Sequence, residues 1–105
     1  MHVMERNGVV VVTVVDDQCA SLWKTLEPFI EAGKRNCVLD LSQVGFLNSV
    51  NIAAIIAARN KVVAAGGKIA VADIKDRVKS IFRVLKLDRL FDLNRNLDAA
   101  ILAVG

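Results

Sequence analysis

The sequence predicts one α/β domain over residues 1–105, in which helices pack on a mixed, mostly parallel sheet. Three observations support this. Short valine-rich runs lack polar alternation, as in strands that are covered on both faces. Segments with helical apolar spacing follow most of these runs, and 105 residues suffice for one hydrophobic core. The predicted order is therefore β-β-α-β-α-β-α-β-α.

The first two strands are predicted to form a β-hairpin. The dipeptide Asn7-Gly8 suits a two-residue type I′ turn, because both central residues of that turn need a positive φ. The strands would cover residues 2–6 and 9–15. The second strand is nearly all valine, so we expect helices or loops to cover both of its faces.

The first helix is predicted between Asp16-Asp17, which can cap it, and Gly33, which can occupy its C′ position. Pro28 lies inside this segment and is expected to kink or split the helix, because proline removes a backbone donor. Four apolar residues of the segment recur at helical spacing: Leu22, Leu26, Phe29 and Ile30.

Strands and helices then alternate to the end of the chain. Gly66 can take a left-handed conformation at the end of the helix that begins near Ser49. The predicted strands are 36–41, 68–73 and 89–93, and the predicted helices are 49–65, 75–87 and 96–104.

Composition excludes several classes of protein. No apolar run approaches the roughly 18 residues that span a bilayer, so no direct membrane insertion is expected. The first eight residues lack a basic region followed by an apolar one, which predicts a cytoplasmic protein without a signal peptide. The net charge is +3 and basic residues are not interleaved with aromatic ones, so nucleic acid is not an expected partner.

The sequence also lacks the residue combinations that catalytic sites require. His2 is the only histidine, Ser49 has no evident general base, and no phosphate-binding glycine motif occurs. Cys19 and Cys37 lack C-x-x-C spacing and histidine neighbours, which indicates buried or inert thiols in a reducing compartment. We therefore predict that the chain is not an enzyme and binds no cofactor.

Acidic residues near strand ends suggest a further hypothesis. Asp16, Asp17, Asp40 and Asp73 could hold Mg²⁺ at the carboxyl edge of the sheet, as a two-component receiver domain does. The serine or threonine and the lysine that a receiver needs after its later strands are missing. Aspartate also suits strand ends and caps for ordinary reasons, so no metal site is predicted.

The helix after Ser49 carries apolar residues with Arg59 in the middle of their arc. The arginine could pack its stem and place its head at the helix edge, or it could anchor a carboxylate or phosphate. The opposite face would carry Ala53, Ala54, Ala57 and Ala58. These alanines reflect either helix propensity or a smooth surface that a partner approaches closely.

Five segments together resemble the STAS family, the domain of bacterial anti-sigma-factor antagonists and of sulfate-transporter tails. They are Asp-Leu-Ser at 40–42, the polar helix start at 48–51, Gly-Gly-Lys at 66–68, Val-Lys-x-x-Phe at 78–82 and Leu-Asp-x-Leu-Phe at 87–91. The similarity is strongest over residues 38–93 and weaker at both ends. It implies the STAS fold, whose element order is the one predicted above.

The resemblance implies a non-enzymatic regulator of transcription. In phospho-regulated members, the first serine of Asp-Ser-Ser-Gly is phosphorylated by the cognate anti-sigma factor, which is a kinase, and Ser49 matches that serine. The unphosphorylated antagonist binds the anti-sigma factor. The predicted partner surface is the 42–48 loop with the first turns of the helix, comprising Asn48, Ser49, Val50, Asn51, Ala53 and Ala54.

Four departures from the family pattern leave alternatives open. Asn48 replaces aspartate, Val50 replaces the second serine, and Asn51 replaces a glycine whose absence is expected to block close approach. Lys86 replaces the glycine that would cap the helix before Leu87. Ser49 is thus either a phosphoacceptor or an ordinary N-terminal cap. One alternative function is a STAS scaffold or transporter subunit, and the other is a small-molecule or nucleotide sensor. The chain could also form a homo-oligomer.

Overall fold

A four-stranded mixed sheet forms the centre of the fold. The computed structural model describes the backbone of residues 1–105 and all side chains except those of Asp16 and Asp17. The strands lie in the order β1 (His2–Arg6), β2 (Val9–Thr13), β3 (Cys37–Asp40) and β4 (Ile69–Ala72). β1 is antiparallel to β2, whereas β2, β3 and β4 run parallel. The mixed, mostly parallel sheet is confirmed.

The β1–β2 hairpin closes as the sequence predicts. Arg6 pairs with Val9, and the two residues between them have φ of 55° at Asn7 and 78° at Gly8. Both values are positive, as a type I′ turn requires. β2 is shorter than predicted and ends at Thr13.

Four α-helices and two 3₁₀ helices complete the described chain. The α-helices are α1 (Leu22–Glu31), α2 (Ser49–Ala64), α3 (Asp76–Val84) and α4 (Leu97–Val104), and the 3₁₀ helices are Asp16–Ser21 and Leu87–Arg89. Of these described helices, none combines the length and apolar character needed to cross a bilayer. The predicted α/β alternation is confirmed as far as α3.

The sheet separates two hydrophobic cores. One core lies under α1, α2 and α3, and its members include Val10, Val12, Leu39, Val71, Leu26, Ile55 and Phe82. The other lies under α4 and contains Val9, Val11, Val38, Ala70, Ala72, Ala100, Ile101 and Val104. Successive β2 valines alternate between the two cores, because side chains on a strand point alternately to opposite faces. This confirms that β2 is covered on both faces.

The predicted strand at 89–93 is wrong. Residues Leu87–Arg89 form a 3₁₀ helix, and the amides of Leu90 and Phe91 both donate to the Leu87 carbonyl. Phe91 and Leu93 of this segment are buried, and Phe91 packs near Phe82 with ring centroids 6.2 Å apart. The segment therefore fills the core as a strand would, while its backbone bonds are satisfied locally.

Pro28 was expected to kink or split the first helix, but the helix is not split. α1 runs without a break from Leu22 to Glu31. Pro28 and Lys24, four residues earlier, are both exposed, so water can hydrate the carbonyl that loses its donor. Gly33 has φ of 89° and is the C′ glycine predicted for this helix. The proposed capping role of Asp16 and Asp17 lies outside the described side chains.

Candidate functional site

Asn48, and not Ser49, caps the start of α2. Asn48 has an extended backbone, with φ of −101° and ψ of 177°, and its Oδ1 accepts the Asn51 amide at 2.8 Å. Asparagine ranks with aspartate and serine as an N-cap residue, so Asn48 performs locally what an aspartate would perform. The interpretation of Ser49 as the cap is wrong, because Ser49 is the first residue inside the helix.

Ser49 is exposed at the positive end of α2. The amides of the first turn have no helical acceptor, and the macrodipole places a partial positive charge at this end. An anionic group on the Ser49 hydroxyl would therefore meet a favourable local field. The helix start is electrostatically suited to a phosphoserine.

Two apolar side chains flank Ser49 at the surface. Phe46 is 59% exposed and Val50 is 63% exposed. Ala53, one turn into the helix, is also exposed, so the patch extends along α2. Exposed apolar residues this close in sequence to one helix start form a candidate protein-binding patch. Sequence reasoning did not single out Phe46, because the run Val44-Gly45-Phe46-Leu47 does not show which side chain faces outward.

The loop before α2 is anchored from below. Leu41, Val44 and Leu47 are buried, and the Val44 amide donates to the Leu41 carbonyl at 3.0 Å. The Ser42 amide donates to Asp40 Oδ1 at 2.9 Å, which closes a local turn after β3. These contacts fix the loop that presents Phe46 and the start of α2.

The structure separates the predicted partner-binding residues into two groups. Asn48, Ser49, Val50 and Ala53 are exposed, and Ala54 is half-buried. Asn51 is only 8% exposed and its amide is held by Asn48. The expectation that its side chain blocks a close approach is therefore wrong, because that side chain is buried.

The buried stripe of α2 is rotated from the predicted arc around Arg59, although Ile55 and Val62 of that arc are buried as predicted. Its buried positions are Asn51, Ile55, Ala58 and Val62, so Ala58 belongs to the core and Val63 is exposed. Arg59 is half-buried at the edge of this stripe, and its Nη1 donates to Asn60 Oδ1 at 3.1 Å. Apolar residues occur all around α2, so periodicity alone could not select the buried face.

Asp40 and Asp73 are the members of the acidic strand ends whose side chains the structure describes. Asp40 accepts the Ser42 amide, and Asp73 is exposed with φ of 53°. Among described side chains, no three His, Cys, Asp or Glu residues are placed to hold a metal ion. Asp16 and Asp17, which belong to the same hypothesis, lie outside the described side chains.

Both cysteines are buried, and no disulfide joins them. Burial raises the pKa of the Cys37 thiol from 9.0 to about 12, because a thiolate there would lose its hydration. Cys37 is accordingly a protonated core thiol at neutral pH. It is not a nucleophile for the surface described above.

Known proteins resemble this chain in sequence pattern and in fold. The model of the STAS domain matches residues 4–100. An anti-sigma factor antagonist from Mycobacterium paratuberculosis is 25% identical, with a TM-score of 0.76 over 98% of this chain and 91% of that one. No curated protein matches the sequence significantly.

Two further solved structures share the fold at lower identity. A putative anti-sigma factor antagonist from Thermotoga maritima is 20% identical, with a TM-score of 0.81 over 98% of this chain and 92% of the other. The phosphorylated form of the Bacillus cell fate determinant SpoIIAA is 14% identical, with a TM-score of 0.74 over 99% and 98% of the two chains.

Proposed function

The chain belongs to the STAS domain family, and from this membership we propose that it is a non-enzymatic cytoplasmic anti-sigma-factor antagonist. It acts by reversible binding to an anti-sigma factor of the kinase type. The observation that carries the proposal is the placement of Ser49, exposed at the start of α2 between Phe46 and Val50. A partner that covers this patch would bury apolar area and would also reach the serine hydroxyl.

The binding surface of this proposal consists of the exposed helix start and its flanking loop. Phe46 supplies the aromatic anchor, and Asn48, Val50, Ala53 and Ala54 surround it and Ser49. Complete burial of a phenylalanine or valine side chain contributes about 1.5–3 kcal/mol. Asn48 also holds the first turn in place, because its Oδ1 accepts the backbone amide of Asn51.

Phosphorylation of Ser49 would act on the partner more than on the fold. A phosphate at the helix N-terminus is favoured by about 0.3–1 kcal/mol, so the modified chain should stay folded. In the complex, the same dianion would lie between Phe46 and Val50 in a dry interface, which costs several kcal/mol without a facing cation. Each 1.4 kcal/mol weakens binding about tenfold.

The proposal is tested by incubating the protein with its cognate kinase-type anti-sigma factor and ATP. We expect one phosphate on Ser49, none on Ser49→Ala, and weaker binding by Ser49→Asp, which should remain folded. Ser80→Ala is the matched control, because Ser80 is also exposed and its hydroxyl is bonded to the Asp76 carbonyl within α3. Phe46→Ser should weaken binding without affecting the fold.

Mass spectrometry of the protein from growing and starved cells gives an independent measurement. If Ser49 carries no phosphate in either state and Ser49→Asp binds normally, the switch is refuted. Binding that still depends on Phe46 would then favour the STAS scaffold alternative. Binding that is insensitive to both Phe46 and Ser49 would refute the proposed surface.

A further inference from the structure

The outer face of α3 carries apolar side chains that the core does not use. Val78 and Phe82 face inward and are buried, whereas Val84 is 80% exposed and Leu85 is 48% exposed. These two residues, with Ser80 and half-buried Ile81, line a groove of about 280 Å³. We call it the α3 groove.

The α3 groove lies in the most basic part of the chain. Residues 75–95 contain seven of the 14 lysines and arginines but only three of the 11 acidic residues, which gives this segment a formal charge of +4. The whole chain carries +3, so all other residues together carry −1. The positive charge of the molecule is therefore concentrated around α3 and the segment that follows it.

Two exposed cations stand at the ends of the groove. Arg77 precedes Ile81 by four residues and Val84 by seven, so it shares their helix face. Lys86 follows Leu85 directly, in a left-handed conformation with φ of 59°. At 1.5 Å per residue, Arg77 and Val84 are about 10 Å apart along the axis, and Lys86 lies two residues beyond the helix end. The ion pairs found among described side chains involve Arg6, Lys34 and Arg95, not these two.

The α3 groove is distinct from the Ser49 surface. Helices that follow parallel strands begin at the same edge of the sheet, and a Cβ built on Gly45 would lie 3.9 Å from Lys75 Nζ. The start of α3 is thus beside the loop that precedes α2. Leu85, ten residues further on, lies about 15 Å away along the helix axis. A partner on the Ser49 surface can leave the groove open.

We propose that the α3 groove docks an acidic amphipathic helix of a partner protein. Its apolar side chains would fill the groove, and carboxylates two to three turns apart would face Arg77 and Lys86. The charge distribution selects an acidic partner over a neutral one and would accelerate the encounter at low salt.

The test uses the full-length ¹⁵N-labelled protein and two synthetic helical peptides that share one leucine face. One peptide carries glutamates beside the leucines, and the other carries lysines at the same positions. We expect the glutamate peptide to shift amide resonances of residues 77–89 and to bind at least about tenfold more tightly than the lysine peptide. Its affinity should fall as the salt concentration rises.

Variants distinguish binding in the α3 groove from non-specific hydrophobic or charge-driven binding. Val84→Ser and the pair Arg77→Glu with Lys86→Glu should each weaken the glutamate peptide about tenfold or more. Leu102→Ser is the matched control, because Leu102 is also 80% exposed but lies on α4. The pair Lys24→Glu with Lys68→Glu, at exposed positions outside the segment, controls for the same change in net charge. Unchanged amide spectra outside α3 verify that each variant is folded.

Several results would overturn the proposal. These are equal affinity for both peptides, no saturation up to about 1 mM peptide, or equal losses with Val84→Ser and Leu102→Ser. Vesicles of phosphatidylcholine and phosphatidylglycerol that recruit the protein through Val84, when the peptide does not bind, would assign the groove to a membrane. Self-association that Val84→Ser abolishes would assign it to a second copy of the chain.

Discussion

Lys86 adopts a backbone conformation that usually belongs to glycine. Its φ of 59° and ψ of 27° continue the chain from α3 into the next 3₁₀ helix. The sequence led us to expect no left-handed glycine cap here, and the structure keeps the left-handed conformation with a lysine. A residue with a Cβ pays about 1–2 kcal/mol in this region, although glycine also gains entropy when unfolded.

Lys86→Gly is therefore expected to stabilise the protein by about 0.5–1 kcal/mol in urea unfolding. Lys79→Gly, inside α3, should instead destabilise it by about 1 kcal/mol, since glycine is a poor helix former. Equal effects at the two positions would contradict the assigned conformation of Lys86.

The cap at Asn48 predicts that Asn48 and Ser49, although adjacent, contribute differently to stability. Asn48→Ala should lower the free energy of unfolding by about 0.5–2 kcal/mol, because it leaves the Asn51 amide without its acceptor. Ser49→Ala should have a smaller effect, and Asn48→Asp should keep the cap. Denaturant unfolding of the three variants measures this, and a larger loss at Ser49 than at Asn48 would contradict the structure.

The buried thiol of Cys37 should lower the free energy of unfolding as the pH rises above 9. Burial raises its pKa to about 12 in the fold from an ordinary value of 9.0, so the unfolded chain releases the proton first. The stabilisation is complete below pH 9 and is lost towards pH 12, by up to about 1.4 kcal/mol per pH unit. Cys37→Ala should flatten the unfolding free energy between pH 9 and 10.5 relative to wild type.

At the scale of elements, the junction between α2 and β4 depends on two adjacent glycines with different roles. Gly66 has φ of 83° and ends α2, while the Gly67 amide donates to the Val62 carbonyl at 3.0 Å. A Cβ on Gly67 would lie 2.0 Å from the Arg35 carbonyl oxygen, which is backbone and cannot rotate away. The connection therefore leaves no room for a side chain at Gly67.

Gly66→Ala is expected to cost about 1 kcal/mol for the left-handed backbone alone. Gly67→Ala should cost more, at about 2 kcal/mol or above, because strands β3 and β4 must shift to relieve the overlap. Thermal melts give the order of the two variants. A milder effect at Gly67 would mean that the Arg35 backbone is free to move.

Sequence patterns located most elements, because turn chemistry and apolar periodicity are local. Asn7-Gly8, Gly33 and Gly66 all have the positive φ that the sequence predicted. The 89–93 segment was misassigned because buried Phe91 and Leu93 alternate with exposed Asp92, as in a strand, whereas the backbone pairs locally. The buried face of α2 was also misplaced, since its apolar residues surround the helix.

At the scale of the molecule, the two faces of the sheet are covered unequally. Three helices pack on one face, while the eight-residue α4 supplies the helix on the other. Ile101 is buried against that face, and its neighbour Leu102 is exposed. Ile101→Ala should lower stability by about 2–5 kcal/mol, and Leu102→Ala should change it by less than about 0.5 kcal/mol. Similar losses in chemical unfolding would contradict this placement of α4.

The candidate site was less accessible to sequence reasoning than the fold. Ser49 was found through the family resemblance, and its exposure agrees with a surface role. The cap at Asn48, the outward turn of Phe46 and the inward turn of Asn51 depend on how the loop packs on the core. Residues distant in sequence determine that packing, so a local pattern does not reveal it.

The anchored loop before α2 fixes the shape of this surface before a partner binds. Leu41, Val44 and Leu47 hold the loop in the core before any partner arrives, so binding requires little reorganisation of this chain. A phosphate on Ser49 would then alter the charge of the surface while leaving its contour in place. The partner would meet a surface whose charge has changed and whose shape has not. Removal of the phosphate would restore the original surface without any refolding.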